Sequence, residues 1–65
     1  MDEDKLKALA TDVYLESRAT GNIPDEVADY GYMSDEEIEM YASENEMTVP
    51  EYNVYLEYLV SLFND

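Results

Sequence analysis

After Arg18 this chain carries no positive charge. Lys5, Lys7 and Arg18 are its three cations. From Ala19 to Asp65 the charged side chains are twelve acids: Asp25, Glu26, Asp29, Asp35, Glu36, Glu37, Glu39, Glu44, Glu46, Glu51, Glu57 and Asp65. Exposed helix faces ordinarily intersperse Lys and Arg with Glu, which gives i,i+4 support and avoids self-repulsion. A chain that gives this up must fold against its own field, and a net charge of −14 opposes compactness. The opposing force is apolar burial. Hydrophobic residues make up 46% of the chain, too many for the polar composition of disordered segments. The expectation is one folded acidic domain over residues 1–65, at a size where a single core is marginal. With no cysteine, no disulfide supplements it. The core must come from aliphatics, four Met, one Phe and seven Tyr.

The spacing of apolar residues and the cap signals predict an all-α fold, a small bundle of three main helices and one short one. Residues 4–20 form the first: Leu6, Leu9, Ala10, Val13 and Tyr14 share a face at 100° per residue. Glu3 and Lys7 stand at i,i+4, as do Tyr14 and Arg18, close enough for a cation–π contact. Gly21 is a natural left-handed stop. A capping Asn22, then Pro24, Asp25 and Glu26, open a short helix over 24–30 that Gly31 ends. Ser34-Asp35-Glu36-Glu37 is a capping box and opens a helix over 34–46. Ile38, Tyr41, Ala42 and Asn45 are its expected inner stripe; Glu36, Met40, Ser43, Glu44 and Met47 are its outer face. Thr48-Val49-Pro50-Glu51 repeats the box and starts a helix over 49–63. There Val49, Tyr52, Tyr55, Leu56, Leu59, Val60, Leu62 and Phe63 cover about half the circumference, a breadth that calls for more than one packing neighbour. Val54 and Tyr58 are left on the far side. No alternating run bounded by turns points to a strand.

Catalysis and metal binding find little support. Histidine is absent, which removes the commonest general base and metal ligand, and there is no thiolate site. Asp29-Tyr30-Gly31 does not fit the calcium-loop pattern, and no other segment does. A working pair of carboxylates needs a desolvated cleft that splits their pKa values, and a short helical chain rarely has one. The reading is a non-enzyme with no catalytic residue, no cofactor and no metal. Met1-Asp2-Glu3-Asp4-Lys5 lacks the basic and apolar regions of a signal peptide, and no apolar run approaches the ~20 residues of a membrane span. The expected location is the cytoplasm. Direct contact with nucleic acid or an anionic membrane is disfavoured by charge alone.

The acidic field is therefore the functional signal. Helical carboxylates at i, i+3 and i+4 lie about 5–6 Å apart at Cβ. Several such helices can set out rows of negative charge comparable to DNA phosphates, which run at one per ~1.7 Å of duplex axis. Acids at helix starts also satisfy the dipole and aid solubility, which accounts for Asp25, Glu26, Asp35, Glu36, Glu37 and Glu51 but not for the missing Lys. The expected partner surface is Asp25, Glu26, Asp29, Asp35, Glu36, Glu37, Glu39, Glu44 and Glu46, with Tyr30, Tyr32 and Met40 as adaptable contacts among them. In charge and size, though not by homology, the chain resembles small phage-encoded DNA mimics and inhibitors of nucleases or restriction systems. The expected partner is a basic, nucleic-acid-binding protein. The alternative is a protein–protein adaptor or regulatory subunit with apolar contacts at Val54, Tyr58 and Met40, including a homodimer through Val54 and Tyr58. In that case acidity serves solubility or salt adaptation.

Overall fold

A computed structural model describes residues 1–64. Among them are four α-helices and no strand: α1 (Glu3–Thr20), α2 (Asp25–Ala28), α3 (Asp35–Glu44) and α4 (Val49–Asn64). The helix starts follow from short-range chemistry. The Asp2 carboxylate accepts from the Lys5 N–H at 2.8 Å and caps α1, a role the sequence reading had not assigned. The capping box of α3 closes in both directions: Ser34 Oγ accepts from the Glu37 N–H at 3.2 Å, and Glu37 Oε1 accepts from the Ser34 N–H at 3.3 Å. Thr48 and Glu51 do the same for α4, at 3.3 and 2.9 Å. The short helix α2 departs from expectation. Pro24 is its cap residue, with no side-chain cap bond, while the Asn22 carbonyl is used instead as acceptor for the buried Ser17 hydroxyl.

The C-terminal ends of α1 and α3 differ. Gly21 closes α1 at φ 77°, its N–H donating to the Ser17 carbonyl at 2.8 Å. At the end of α3 the left-handed residue is Glu46, at φ 57°. The Glu46 N–H donates to Ser43 O at 3.0 Å and the Met47 N–H to Ala42 O at 2.8 Å, a Schellman closure made without glycine. Its hydrophobic partner contact, between the residue after the turn and the last turn of the helix, is Met47 with Ala42, both buried. This corrects the expectation for Met47. The helix stops at Glu44, so the outer-face position it would hold in a longer helix does not exist, and the reversal carries it into the core.

The core consists of Leu6 and Ala10 from α1, Ala42 from α3, Met47, and Tyr52, Tyr55, Leu56 and Leu59 from α4. All three other helices pack on α4, with α1 the most extensive neighbour, as the width of its apolar face requires. Aromatic pairs reinforce both sides. Tyr14 and Phe63 meet edge-on with centroids 5.0 Å apart, and Tyr41 stacks parallel to Tyr52 at 6.3 Å. Three positions depart from expectation, two of them turning outward and one inward. Asn45 is exposed and its amide donates to Tyr41 O, and Val49 lies at the rim in the first turn of α4. Tyr58, expected on a free face, is half-buried under the Lys7 ammonium, 5.6 Å from its ring centroid. No helix among the described residues is long and apolar enough to cross a membrane.

Candidate partner-binding surface

Five of the nine acids of residues 25–46 sit where a helix begins. Asp25 and Glu26 fill the first turn of α2, Asp35, Glu36 and Glu37 the first turn of α3, where the exposed N–H groups favour negative charge. Eight of these nine acids are exposed and Glu26 is half-buried. Among the described residues two ion pairs form, Met1 ammonium with Glu51 at 2.6 Å and Lys7 with Glu3 at 3.5 Å. None of the nine takes part in either.

Tyr41 reports how far the structure gathers them. Its phenol is held above its usual pKa, first by desolvation and then by the charges of Asp25, Glu26, Asp29 and Glu37. Acids separated in sequence, from α2, its exit turn and α3, thus converge on one side chain. The inner tyrosines feel the same field more weakly than their burial. Desolvation pushes Tyr52 up strongly, with Glu26 and Glu44 among the contributing charges, and Tyr55 up to about 12, with Glu26 the charge involved. Four of the expected contact acids, Asp25, Glu26, Asp29 and Glu37, thus lie within electrostatic reach of Tyr41, and Glu44 within reach of Tyr52. Asp35, Glu36 and Glu39 are exposed along α3 and Glu46 at its end, with no such convergence recorded. The three residues expected as adaptable contacts are all exposed. Tyr32 is 90% exposed, Met40 49% and Tyr30 43%.

Gly31 decides how the two tyrosines are presented. Its φ of 88° lets the turn after α2 reverse sharply, closed by the Tyr32 N–H donating to Asp29 O at 2.9 Å. Tyr32 then projects into solvent. Tyr30 instead edges an open groove of about 280 Å³ whose other walls are Met33, Ile38, Asn53, Leu56 and Glu57. Sequence reasoning missed this groove, because residues 30 and 57 are brought together only by packing of the turn against α4. Glu57 was legible as one of the twelve acids; its company was not.

Two further clefts are less suited to a charged partner. One, about 290 Å³, lies between α1 and the Asn22–Pro24 turn and carries Glu16 alone as an acid. The other, about 320 Å³, is bounded by Met1, Leu6, Pro50 and Val54, and its two acids, Glu3 and Glu51, are already paired with Lys7 and the Met1 ammonium. The Glu51 carboxylate is pulled down to about 2, chiefly by the Met1 ammonium and then by the Thr48 N–H and hydroxyl. Among the described residues no group of Asp, Glu, His or Cys is arranged to hold a metal ion. Comparison of the chain with protein-family models, with curated proteins and with solved structures finds no match.

Proposed function

We propose that this protein is a non-enzymatic acidic binder that occupies the nucleic-acid-binding surface of a basic partner protein, acting as a mimic of the nucleic acid. The observation that carries the reading is the segment 25–46, with nine acids, no cation and no ion pair among them. A folded surface that leaves so many carboxylates unneutralised is complementary to a basic one. The magnitudes are consistent. The longest dimension is 29 Å, and B-DNA of that length carries ~17 phosphates at one per ~1.7 Å, against a net charge of −14 here. The exposed Tyr30, Tyr32 and Met40 add contact area within the field. Tyr rings can stack on Arg from such a partner. The inferred setting is the cytoplasm, of the host if the protein is phage-encoded.

The test is competition. A partner captured at low salt should be displaced by duplex DNA and released as salt rises, because charge pairs dominate the complex. The triple reversal Glu36→Lys, Glu39→Lys and Glu44→Lys should abolish capture while circular dichroism shows the fold retained, since all three are exposed. A partner that holds on unchanged at high salt and in excess DNA overturns the reading. It would favour an adaptor whose contacts are apolar.

A further inference from the structure

The groove between the Tyr30–Met33 turn and α4 differs from the rest of the acidic surface. It has an apolar lining, Met33, Ile38 and Leu56, and polar groups confined to Tyr30, Asn53 and Glu57. At about 280 Å³ it falls just below the ~300–1,000 Å³ of small-molecule sites, a size suited to one long side chain. Glu57 is exposed and has no ion-pair partner among the described residues. Tyr30 is 43% exposed beside it.

We propose that this groove receives an arginine side chain of the basic partner. The inference rests on the reading that the partner is basic, and adds where and by which residue it anchors. Arginine fits the chemistry better than lysine. Its methylene stem can lie along Met33, Ile38 and Leu56 while the head stays polar. Its planar guanidinium can stack on the Tyr30 ring and pair with a carboxylate through two parallel N–H bonds, with Asn53 Oδ1 as a further acceptor. An ammonium can also sit over a Tyr ring, as Lys7 does over Tyr58, but as a strongly hydrated point charge it gains neither planar stacking nor a two-pronged pair. The chain makes half of this contact within itself. Arg18 lies over Tyr14 with its guanidinium carbon 5.8 Å from the ring centroid, and its Nη1 donates to the Tyr14 hydroxyl at 3.0 Å.

Two basic peptides of equal length and charge, one all arginine and one all lysine, separate the groove from the field. Calorimetric titration should give about tenfold tighter binding of the arginine peptide. Amide chemical shifts should move at Gly31, Asn53 and Glu57 with that peptide and not with the other. Tyr30→Ala, which changes no charge, should bring arginine binding down to the lysine level. Glu57→Gln should do the same, whereas Glu39→Gln, removing one charge elsewhere, should weaken both peptides alike. Equal affinity of the two peptides, or Glu57→Gln behaving like Glu39→Gln, overturns the arginine site. With both peptides still bound in a salt-dependent way, the acidic-surface reading would survive that result. Failure of both peptides to bind would remove the arginine site and the basic partner together.

Discussion

The first helix and the α2–α3 segment solve the same problem, staying folded at high negative charge, in opposite ways. On α1 acids and cations are mixed, and two of the three cations make side-chain contacts. Lys7 pairs with Glu3 and covers Tyr58 of α4, and Arg18 folds over Tyr14. This is also the helix with the most extensive seam against α4. On α2 and α3 no cation offsets the acids. Those helices are specified by backbone closures, the Ser34–Glu37 box at one end of α3 and the Glu46 reversal at the other, and by one aromatic stack onto Tyr52. Lys7 and Arg18 of α1 thus serve internal contacts, whereas the acids of α2 and α3 have no ion-pair partner among the described residues.

The largest expected effect tests whether the α1 seam is indeed the stronger. Leu6 is 3% exposed, and Leu6→Ala should cost about 2–5 kcal/mol. At about 4–8 °C per kcal/mol for a domain this small, the thermal midpoint should fall by roughly 10 °C or more. Ile38→Ala, at a half-buried position on α3, should cost about 1 kcal/mol. Equal losses in thermal unfolding would erase the distinction between the two sides.

Next in size is the stack that anchors α3. The Tyr52 hydroxyl is buried and has no hydrogen-bond partner among the described residues. An unsatisfied buried polar group costs about 1–3 kcal/mol, so Tyr52→Phe should raise the midpoint while keeping the ring against Tyr41. A drop in stability would mean that the hydroxyl is satisfied in solution and helps to hold α3 in place.

Much of this was legible in the sequence, and the reason is range. Ser34 with Glu37, Thr48 with Glu51, Gly21, and the Tyr14–Arg18 spacing all act within four residues, and each does what its spacing implies. What failed needed knowledge of the chain path. Met47 was assigned to an outer face because no glycine announces the reversal at Glu46. Tyr58 was left free because nothing in residues 54–62 reveals that Lys7 lies above it. The candidate surface divides in the same way. Its acids could be named from composition, whereas the nearness of the α2 and α3 acids to Tyr41, and the sharing of one groove by Tyr30 and Glu57, follow from packing on α4.

The two helix ends give a third and smaller comparison. Left-handed backbone costs a residue with a side chain about 1–2 kcal/mol, and glycine's extra freedom in the unfolded chain returns part of that. Glu46→Gly should therefore stabilise the protein by about 0.5–1 kcal/mol, with one negative charge removed as well. Gly21→Ala should destabilise by a similar amount, through conformation alone, since nothing lies within 4 Å of an added Cβ. Opposite signs are expected in denaturant midpoints. A loss on Glu46→Gly would show that its side chain supports the turn.

Salt should act more weakly still, and unequally. Raising NaCl from about 0.1 to 1 M shortens the screening length from ~10 to ~3 Å. The midpoint should rise by a few degrees, about what a fraction of a kcal/mol gives. Amide hydrogen exchange should locate the gain on α3, with α1 nearly unchanged because its charges are already mixed. A uniform gain would mean that the repulsion is a property of the whole molecule. A flat midpoint would mean that the acids are spaced widely enough not to matter.

The smallest effect concerns Glu51, the one acid after Arg18 with a cationic partner among the described residues. Glu51 pairs with the Met1 ammonium and accepts from Thr48, and its carboxyl is held at about 2, well below the usual 4.5. A depressed carboxyl pKa stabilises the fold above the unfolded value and loses that contribution as the proton binds. The contribution of Glu51 should thus be complete above about pH 4.5 and disappear as pH falls towards 2. The pair is partly exposed, so the change should be modest. Glu51→Gln can still accept from the Thr48 N–H but cannot form the ion pair. It should lower the midpoint at neutral pH, and the gap from the parent protein should close progressively below pH 4.5. A gap that stays constant down to pH 2 would assign the loss to the cap of α4 alone. Glu51 would then join the other acids after Arg18 as a charge that the fold positions but does not neutralise.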